Sequence, residues 1–243
     1  MREKDYKAIA YETYVSTHIS PRKGEDDQNK LMQRANAFKQ HFKGHLPGIK
    51  TGKIADLGCG SGSLVWWLNT EGYSDVVGID ISEEQIKIAN KLGIKNVYVG
   101  DVFEFLYSCN DDFEIIFARD LMEHFTKEQV VKFLDLCKKR LTDKGKLILQ
   151  VPNAESPYFG RVLYGDFTHE LAFTQYSANQ LLRSRGFANV SVFPWRPVVG
   201  SFKSMIRYIV WRIIEIFLIL PIFVETGGTN HIVTKNIIVT ATK

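Results

Sequence analysis

Cysteine is scarce. The 243 residues hold three, Cys59, Cys109 and Cys137, at spacings that suit neither a disulfide framework nor a thiolate metal site. That scarcity fits a reduced, cytoplasmic setting. Long apolar runs are missing too. The longest uncharged one, Ile216 to Val224, is interrupted by Pro221 and is far shorter than a bilayer span requires. The charged start Met1-Arg2-Glu3-Lys4-Asp5 leads into no apolar segment, so no secretory signal is expected. There is no basic block: 31 basic residues face 27 acidic ones for a net charge of +4, which gives no reason to expect nucleic acid. What is present is 45% hydrophobic and 12% aromatic, enough to fill a core and to exclude disorder over most of the chain. The length suits one α/β domain with an insertion or a short appendage.

The chain is organised around Asp56-Leu57-Gly58-Cys59-Gly60-Ser61-Gly62-Ser63. Apolar Ile54-Ala55 precedes it and the periodic Leu64-Val65-Trp66-Trp67-Leu68 follows, which reads as strand, glycine turn, helix. Alternate glycines leave no Cβ between the loop and a ligand, and the helix behind it aims free N–H groups into the same space. A dinucleotide fingerprint would need glycine or alanine third, where Ser63 stands.

Beyond the turn, strands and helices alternate. Val76 to Asp80, Val97 to Asp101, Glu114 to Ala118, Lys146 to Val151, Asn189 to Phe193 and Asn236 to Thr240 read as strands. Ser82-Glu83-Glu84-Gln85 and Thr126-Lys127-Glu128-Gln129 read as capping boxes, the first opening a helix that stops at Gly93. Val130, Leu134, Cys137 and Leu141 continue the second helix, which Gly145 ends. A third box, Ser177-Ala178-Asn179-Gln180, opens a helix closed by Gly186. Such alternation predicts a mostly parallel, doubly wound sheet with its ligand beyond the carboxyl ends of the strands. Three successive strands deliver Asp56, Asp80 and Asp101 to that edge, and the fourth delivers Arg119-Asp120.

An acid, glycines at every second place, then two strand-terminal acids: at these residues the sequence resembles the class I S-adenosylmethionine (SAM)-dependent methyltransferases. The resemblance covers about residues 50–195 and 236–243. It implies a Rossmann-like sheet of seven strands with the last antiparallel, and SAM as cofactor. It assigns the methionine end to Gly58, Cys59, Gly60 and Gly62, with Asp56 orienting the amino group and the Arg119 backbone alongside. Asp80, 18 residues past Gly62, takes the ribose diol. Ile81 lies against adenine, and Asp101, with Val102 beside it, meets the exocyclic amine.

The acceptor is less constrained. Ala118-Arg119-Asp120-Leu121 lacks the Asn/Asp-Pro-Pro-aromatic motif of nucleic-acid amino-methylating enzymes. Leu121-Met122-Glu123-His124-Phe125 resembles the leucine-glutamate-histidine stretch of small-molecule and glycan methyltransferases. Gly165-Asp166-Phe167-Thr168-His169-Glu170 looks like a run found in methyltransferases of bacterial surface-polysaccharide clusters. Both resemblances imply O-methylation of a sugar or glycan-precursor hydroxyl. Another small metabolite, a phosphorylated capsule precursor and a non-catalytic SAM-binding protein stay open. A histidine beside an acid suits removal of a hydroxyl proton, which makes His169 with Asp166 the candidate base and its partner. His124 is the third catalytic candidate, equally readable as an anchor of its loop. Asp166, His169 and Glu170 lack a fourth ligand at metal spacing, so no metal is expected.

Residues 1–50 read as an N-terminal helical cap on a methyltransferase domain of 51–243. Tyr6, Tyr11, Tyr14 and His18 pack it down or form a lid; Tyr14, His18 and Glu123 are the acceptor-contact candidates. Pro21 to Asn29 is turn-like, and Leu31 to Phe42 reads as a helix. A helical insertion at about 197–235 interrupts the final hairpin. Over 203–220, Met205, Ile206, Ile209, Val210, Ile213, Ile216, Phe217 and Leu220 share one half of a helix, opposite Lys203, Arg207, Arg212 and Glu215. Packing on the domain, as core or as acceptor wall, is the first expectation. Contact with the inner face of a membrane and a homodimer remain open.

Overall fold

Short apolar runs bounded by glycine, asparagine and aspartate become strands, and the periodic stretches between them become helices. The computed structural model describes residues 6–19, 26–48 and 50–243. Met1 to Asp5 and Pro21 to Glu25 of the turn-like stretch lie outside the described residues. The cap supplies α1 (Tyr6–Glu12), a π-helical turn at Val15–Ile19 and α2 (Gln28–Phe42), whose N-terminus is capped by Asp27 accepting from Lys30 N at 2.8 Å. Then follow β1 (Ile54–Leu57), α3 (Ser63–Thr70), β2 (Val76–Asp80), α4 (Glu83–Lys91), β3 (Val97–Val99), α5 (Val102–Ser108), β4 (Phe113–Arg119), α6 (Lys127–Arg140) and β5 (Leu141–Pro152). The chain ends with α7 (Phe159–Leu163), α8 (Gln175–Ser184), β6 (Ala188–Pro194), α9 (Phe202–Thr226) and β7 (Asn236–Thr242).

The seven strands form one sheet in the order β3-β2-β1-β4-β5-β7-β6. β1 to β5 are parallel, and β7 runs antiparallel to both β5 and β6. A parallel sheet must be covered on both faces, and the central strands alternate accordingly. Ile116 and Ala118 of β4 pack with Phe133 and Leu134 of α6, while Ile115 and Phe117 pack on the other face with Leu64 and Trp67 of α3. Leu31, Phe38 and Phe42 of α2 enter that second cluster, so the cap helix shares a core with β1.

Four local expectations are corrected. α6 stops at Arg140, and Leu141 already belongs to β5. Gly145 lies inside that strand, at the register shift between β4 and β5, where a Cβ would meet Phe113 O and the Thr142 backbone at 2.9 Å. The third capping box is Thr174 with Ser177, three residues early, because the Ser177 hydroxyl serves as the reciprocal partner and not as the cap. Finally, the apolar half of α9 expected to pack on the domain stays exposed, and Glu215 is the helix's one buried residue.

Candidate functional site

Strand β1 hands the chain to a loop that turns through Gly58, Gly60 and Gly62, at φ of 72°, 55° and 74°. Gly58 N and Cys59 N donate to Ile79 O at 2.8 and 3.0 Å, which ties the loop to β2. A Cβ on Gly62 would come within 3.0 Å of Ile94 and 3.2 Å of Val97. The close packing that a dinucleotide fold obtains from its third glycine is supplied here one residue earlier.

Asp80 closes the loop from the other side. Its Oδ2 accepts from Gly60 N at 2.7 Å and its Oδ1 from Ser82 N at 2.8 Å. Burial raises its pKa above the ordinary value against the pull of those two amides. Asp101 caps α5, its Oδ1 accepting from Phe103 N at 2.8 Å and Glu104 N at 3.0 Å. These groups line a cavity of about 480 Å³ together with Gly58, Cys59, Gly60, Ile81, Val102 and Arg119. Such a volume holds a nucleoside-sized ligand.

Asp56 and Gly62 are not on the wall. Asp56 is fully buried, and neither carboxylate oxygen has a hydrogen-bond partner among the described residues. Burial pushes its pKa up to about 6, with Arg119 pulling the other way. Arg119 contributes more than its backbone: its guanidinium lies 4.5 Å from the centre of the Phe38 ring. A glycine turn with no side chain toward the cavity and two strand-end carboxylates, Asp80 and Asp101, beside it fit the donors that SAM presents.

The cap forms the opposite wall, through Lys7, Tyr11, Tyr14, Asp26 and Arg34. Asp26 takes Arg34 in a two-pronged pair at 2.6 and 2.7 Å and also accepts from the Ser61 hydroxyl of the glycine loop. Burial works against that carboxylate, but the Arg34 and Ser61 bonds outweigh it and hold the pKa below the ordinary value. Sequence reasoning missed Asp26 and Arg34; nothing local distinguishes them from solvated charges. Asp120 was expected at this edge from the sequence but given no role. It follows β4 with φ of 49°, lines the cavity, and accepts from Gln150 Nε2 and Asn236 Nδ2.

The acceptor candidates divide. His124 and Tyr14 line the cavity, whereas His169, Asp166, His18 and Glu123 are not among its lining residues. Asp166 is committed inside its own loop and to the cap. Its Oδ1 accepts from Thr168 N at 3.0 Å and Thr168 Oγ1 at 2.7 Å, its Oδ2 accepts from Tyr14 Oη at 2.5 Å, and His18 Nε2 is 3.3 Å away. Burial opposes this carboxylate too, yet the Tyr14 and Thr168 bonds and His18 bring its pKa down to about 2. Since Thr168 spends its hydroxyl proton on that anion, its oxygen accepts from His124 Nδ1, 2.9 Å away. Nε2 is then the His124 nitrogen left to take a proton. Burial, reinforced by His169, lowers the His124 pKa to about 4.

His169 stands behind it, its ring edge-on at 4.7 Å and its Nδ1 donating to Val162 O at 2.9 Å. Glu123 is buried with Oε2 unpartnered among the described residues, and burial, then Asp120, raises its pKa well above the ordinary value. Glu123, His124 and His169 each offer an atom within 4.8 Å of the others, a grouping different from Asp166, His169 and Glu170, for which the sequence predicts no metal.

A sequence profile of the methyltransferase-domain family matches residues 8–192. None of the curated proteins matches the chain. Among solved structures, a SAM-dependent methyltransferase from Archaeoglobus fulgidus is similar over 89% of this chain and 100% of its own, at 21% identity and a TM-score of 0.65. Magnesium protoporphyrin IX methyltransferase from Synechocystis PCC 6803, with bound SAM, is similar over 100% and 99%, at 17% identity and 0.57. Phosphoethanolamine N-methyltransferase 2 of Haemonchus contortus, in complex with SAM, is similar over 99% of this chain and 57% of its own, at 17% identity and 0.55. With a family match across most of the chain and a cavity suited to the cofactor, the chain belongs to the methyltransferase-domain family and is a class I SAM-dependent methyltransferase.

Proposed function

We propose that the protein methylates a hydroxyl group on a sugar or glycan-precursor acceptor, with His124 as the base. The observation that carries this reading is a cavity-lining imidazole whose Nδ1 is anchored through Thr168 to Asp166. SAM, held by Gly58, Cys59, Gly60, Asp80 and Asp101 with Ile81 and Val102 flanking, supplies an electrophilic methyl group. An alcohol is a weak nucleophile at neutral pH, so the chain's own contribution is to hold the hydroxyl and remove its proton. Neutral His124 does this at Nε2, while ionised Asp166 fixes the tautomer through Thr168. Tyr11 and Tyr14 give the same wall aromatic faces with polar tips, which suit a polyol. His169 and His18 act as positioning residues on this reading, since the first packs against His124 and the second against Tyr14 and Asp166.

A phosphorylated acceptor ranks second. Two of the three arginine and lysine residues on the cavity wall, Arg34 and Lys7, are already paired, with Asp26 and Glu170. The three cysteines are all free, which supports a reducing, cytoplasmic setting.

The test is methyl transfer from labelled SAM to a panel of free sugars, sugar phosphates, nucleotide sugars, amines and carboxylic acids. Product on a sugar hydroxyl is expected, with His124→Ala lowering kcat by about 10²- to 10⁴-fold at unchanged SAM affinity. Methylation of an amine, or a His124→Ala enzyme with near-normal turnover, rejects the reading.

A further inference from the structure

Helix α9 leaves a second apolar strip exposed on the side away from the domain it packs on. At about 100° per residue, Phe202, Ile206, Ile209, Ile213, Phe217 and Leu220 span about 80°, and Met205 and Val210 widen the strip to an arc of about 140° that holds no charged residue. The first six are between 47% and 73% exposed. The side turned to the protein carries half-buried Tyr208, Trp211, Leu218, Ile219 and Ile222 around one buried charge. Glu215, 5% exposed, accepts from Arg196 Nε at 3.1 Å and Trp211 Nε1 at 2.8 Å, and Arg212 Nε is 3.2 Å away. The helix is firmly made, with a Ser201–Ser204 capping box and Gly227 at φ 73° closing it. An apolar strip of this size on a protein surface marks a docking face.

The charge pattern selects the occupant. Lys203 and Arg207 sit exposed on one flank of the arc in the first half of the helix, and Arg212, paired with Glu215, lies on the other. Its acids are Glu215, turned inward, and Glu225 in the last turn. A second copy packed helix to helix would cover a seam about two residues in seven wide and leave the flanks of the arc wet. A lipid surface covers the whole arc and meets the basic flank with anionic headgroups. Among the described residues no helix is long and apolar enough to cross a membrane, so the helix lies in the interface plane. We propose that α9, about 37 Å long at 1.5 Å per residue, docks the protein on an anionic lipid surface, apolar arc inserted and Lys203 and Arg207 against the headgroups.

The topology ties this face to the cavity. β6 runs antiparallel to β7 and β7 antiparallel to β5, so the chain leaves β6 and re-enters β7 at the edge where β1 to β5 end. The outgoing tether stacks Trp195 on His41 of α2 at 4.2 Å, and Val199 N donates to Gln40 Oε1 at 3.0 Å. The returning one presents Asn236 Nδ2 to Asp120 of the cavity wall at 2.9 Å. A docked surface therefore meets a helix that is tethered at the cavity-bearing edge. An acceptor carried on a lipid is the substrate class such docking serves; that step rests on the glycan-precursor reading, and the docking itself does not.

Co-sedimentation of the full chain with mixed phosphatidylcholine–phosphatidylglycerol vesicles is the test, with phosphatidylcholine alone as the comparison. Wild type should pellet with the mixed vesicles and less so with the neutral ones. Ile213→Asp with Phe217→Asp should abolish binding. Lys203→Glu with Arg207→Glu should weaken it by on the order of 25-fold, since each basic residue beside an anionic surface contributes about fivefold. All four positions are exposed, and unchanged SAM binding by calorimetry verifies folding of each variant. Wild type that stays in the supernatant overturns the proposal. So does vesicle binding that survives loss of the apolar arc, and so does a dimer that Ile213→Asp splits while vesicles are ignored.

Discussion

Helices α6 and α9 carry the same kind of periodic pattern and use it in opposite directions. α6 spends 14 residues to bury Val130, Phe133, Leu134 and Cys137 against the sheet, with its lysines and acids in solvent. α9 spends 25 residues and buries Glu215 alone. Periodicity fixes that a helix has an apolar face; it does not fix what that face meets. In α6 the answer is the protein's own core. In α9 a charged residue is gripped by Arg196 and Trp211, and the apolar strip on the other side stays exposed.

The sharpest way to break this contrast is to damage one residue on each face. Phe133→Ala should cost about 3–5 kcal/mol in denaturant unfolding, because it leaves a cavity in a closed core. Ile213→Asp should change stability by no more than about 0.5 kcal/mol, the range of surface substitutions. A large loss at Ile213 would make the two helices alike. A smaller effect is expected in the region organised inward around the cofactor. Asp80→Ala strands Gly60 N and Ser82 N, and should weaken SAM binding by about 1–3 kcal/mol in calorimetry. An unchanged affinity would remove Asp80 from the site.

The smallest effect concerns pH. With its pKa lowered to about 4 by burial, His124 is neutral across the working range, so kcat should stay nearly level from pH 8 to 6 and halve only near 4. A midpoint near 6.5 would assign the base to another group. The same shift has a stability consequence. The unfolded histidine binds its proton at about 6.5 and the folded one near 4, so the folded state is favoured in full above 6.5 and loses that advantage as pH falls between the two values.

The cofactor edge was legible because its signals are local. A glycine turn after a strand, strand-terminal acids and capping pairs all act within a few residues, and the sheet order follows from their alternation. Where two local signals compete, reading slips by a register. Thr174 and Ser177 both suit a cap, and only the folded chain shows which hydroxyl closes onto which amide. Gly145 reads as a helix stop because the strand irregularity that needs it is set by pairing with Phe113. The acceptor side was less legible because its contacts are distant in sequence. Tyr14 reaches Asp166, Ser61 reaches Asp26, and His124 meets Thr168, so no window along the chain contains any of these pairs. That separation also hid which histidine faces the cavity. The lone signal for the orientation of α9 was Glu215 amid isoleucines, a charge too costly to place on a lipid-facing or core side without the cation that Arg196 supplies.

One feature of the cap bears on timing. Asp26 and Arg34 bridge to Ser61 on the glycine loop, while Tyr14 and Lys7 hold the far wall through Asp166, Glu170 and the His124 carbonyl. The cavity lies between those two sets of bonds, so release of spent cofactor is expected to need some of them to let go. A single-turnover rate well above kcat would show that this opening, and not methyl transfer, sets the pace.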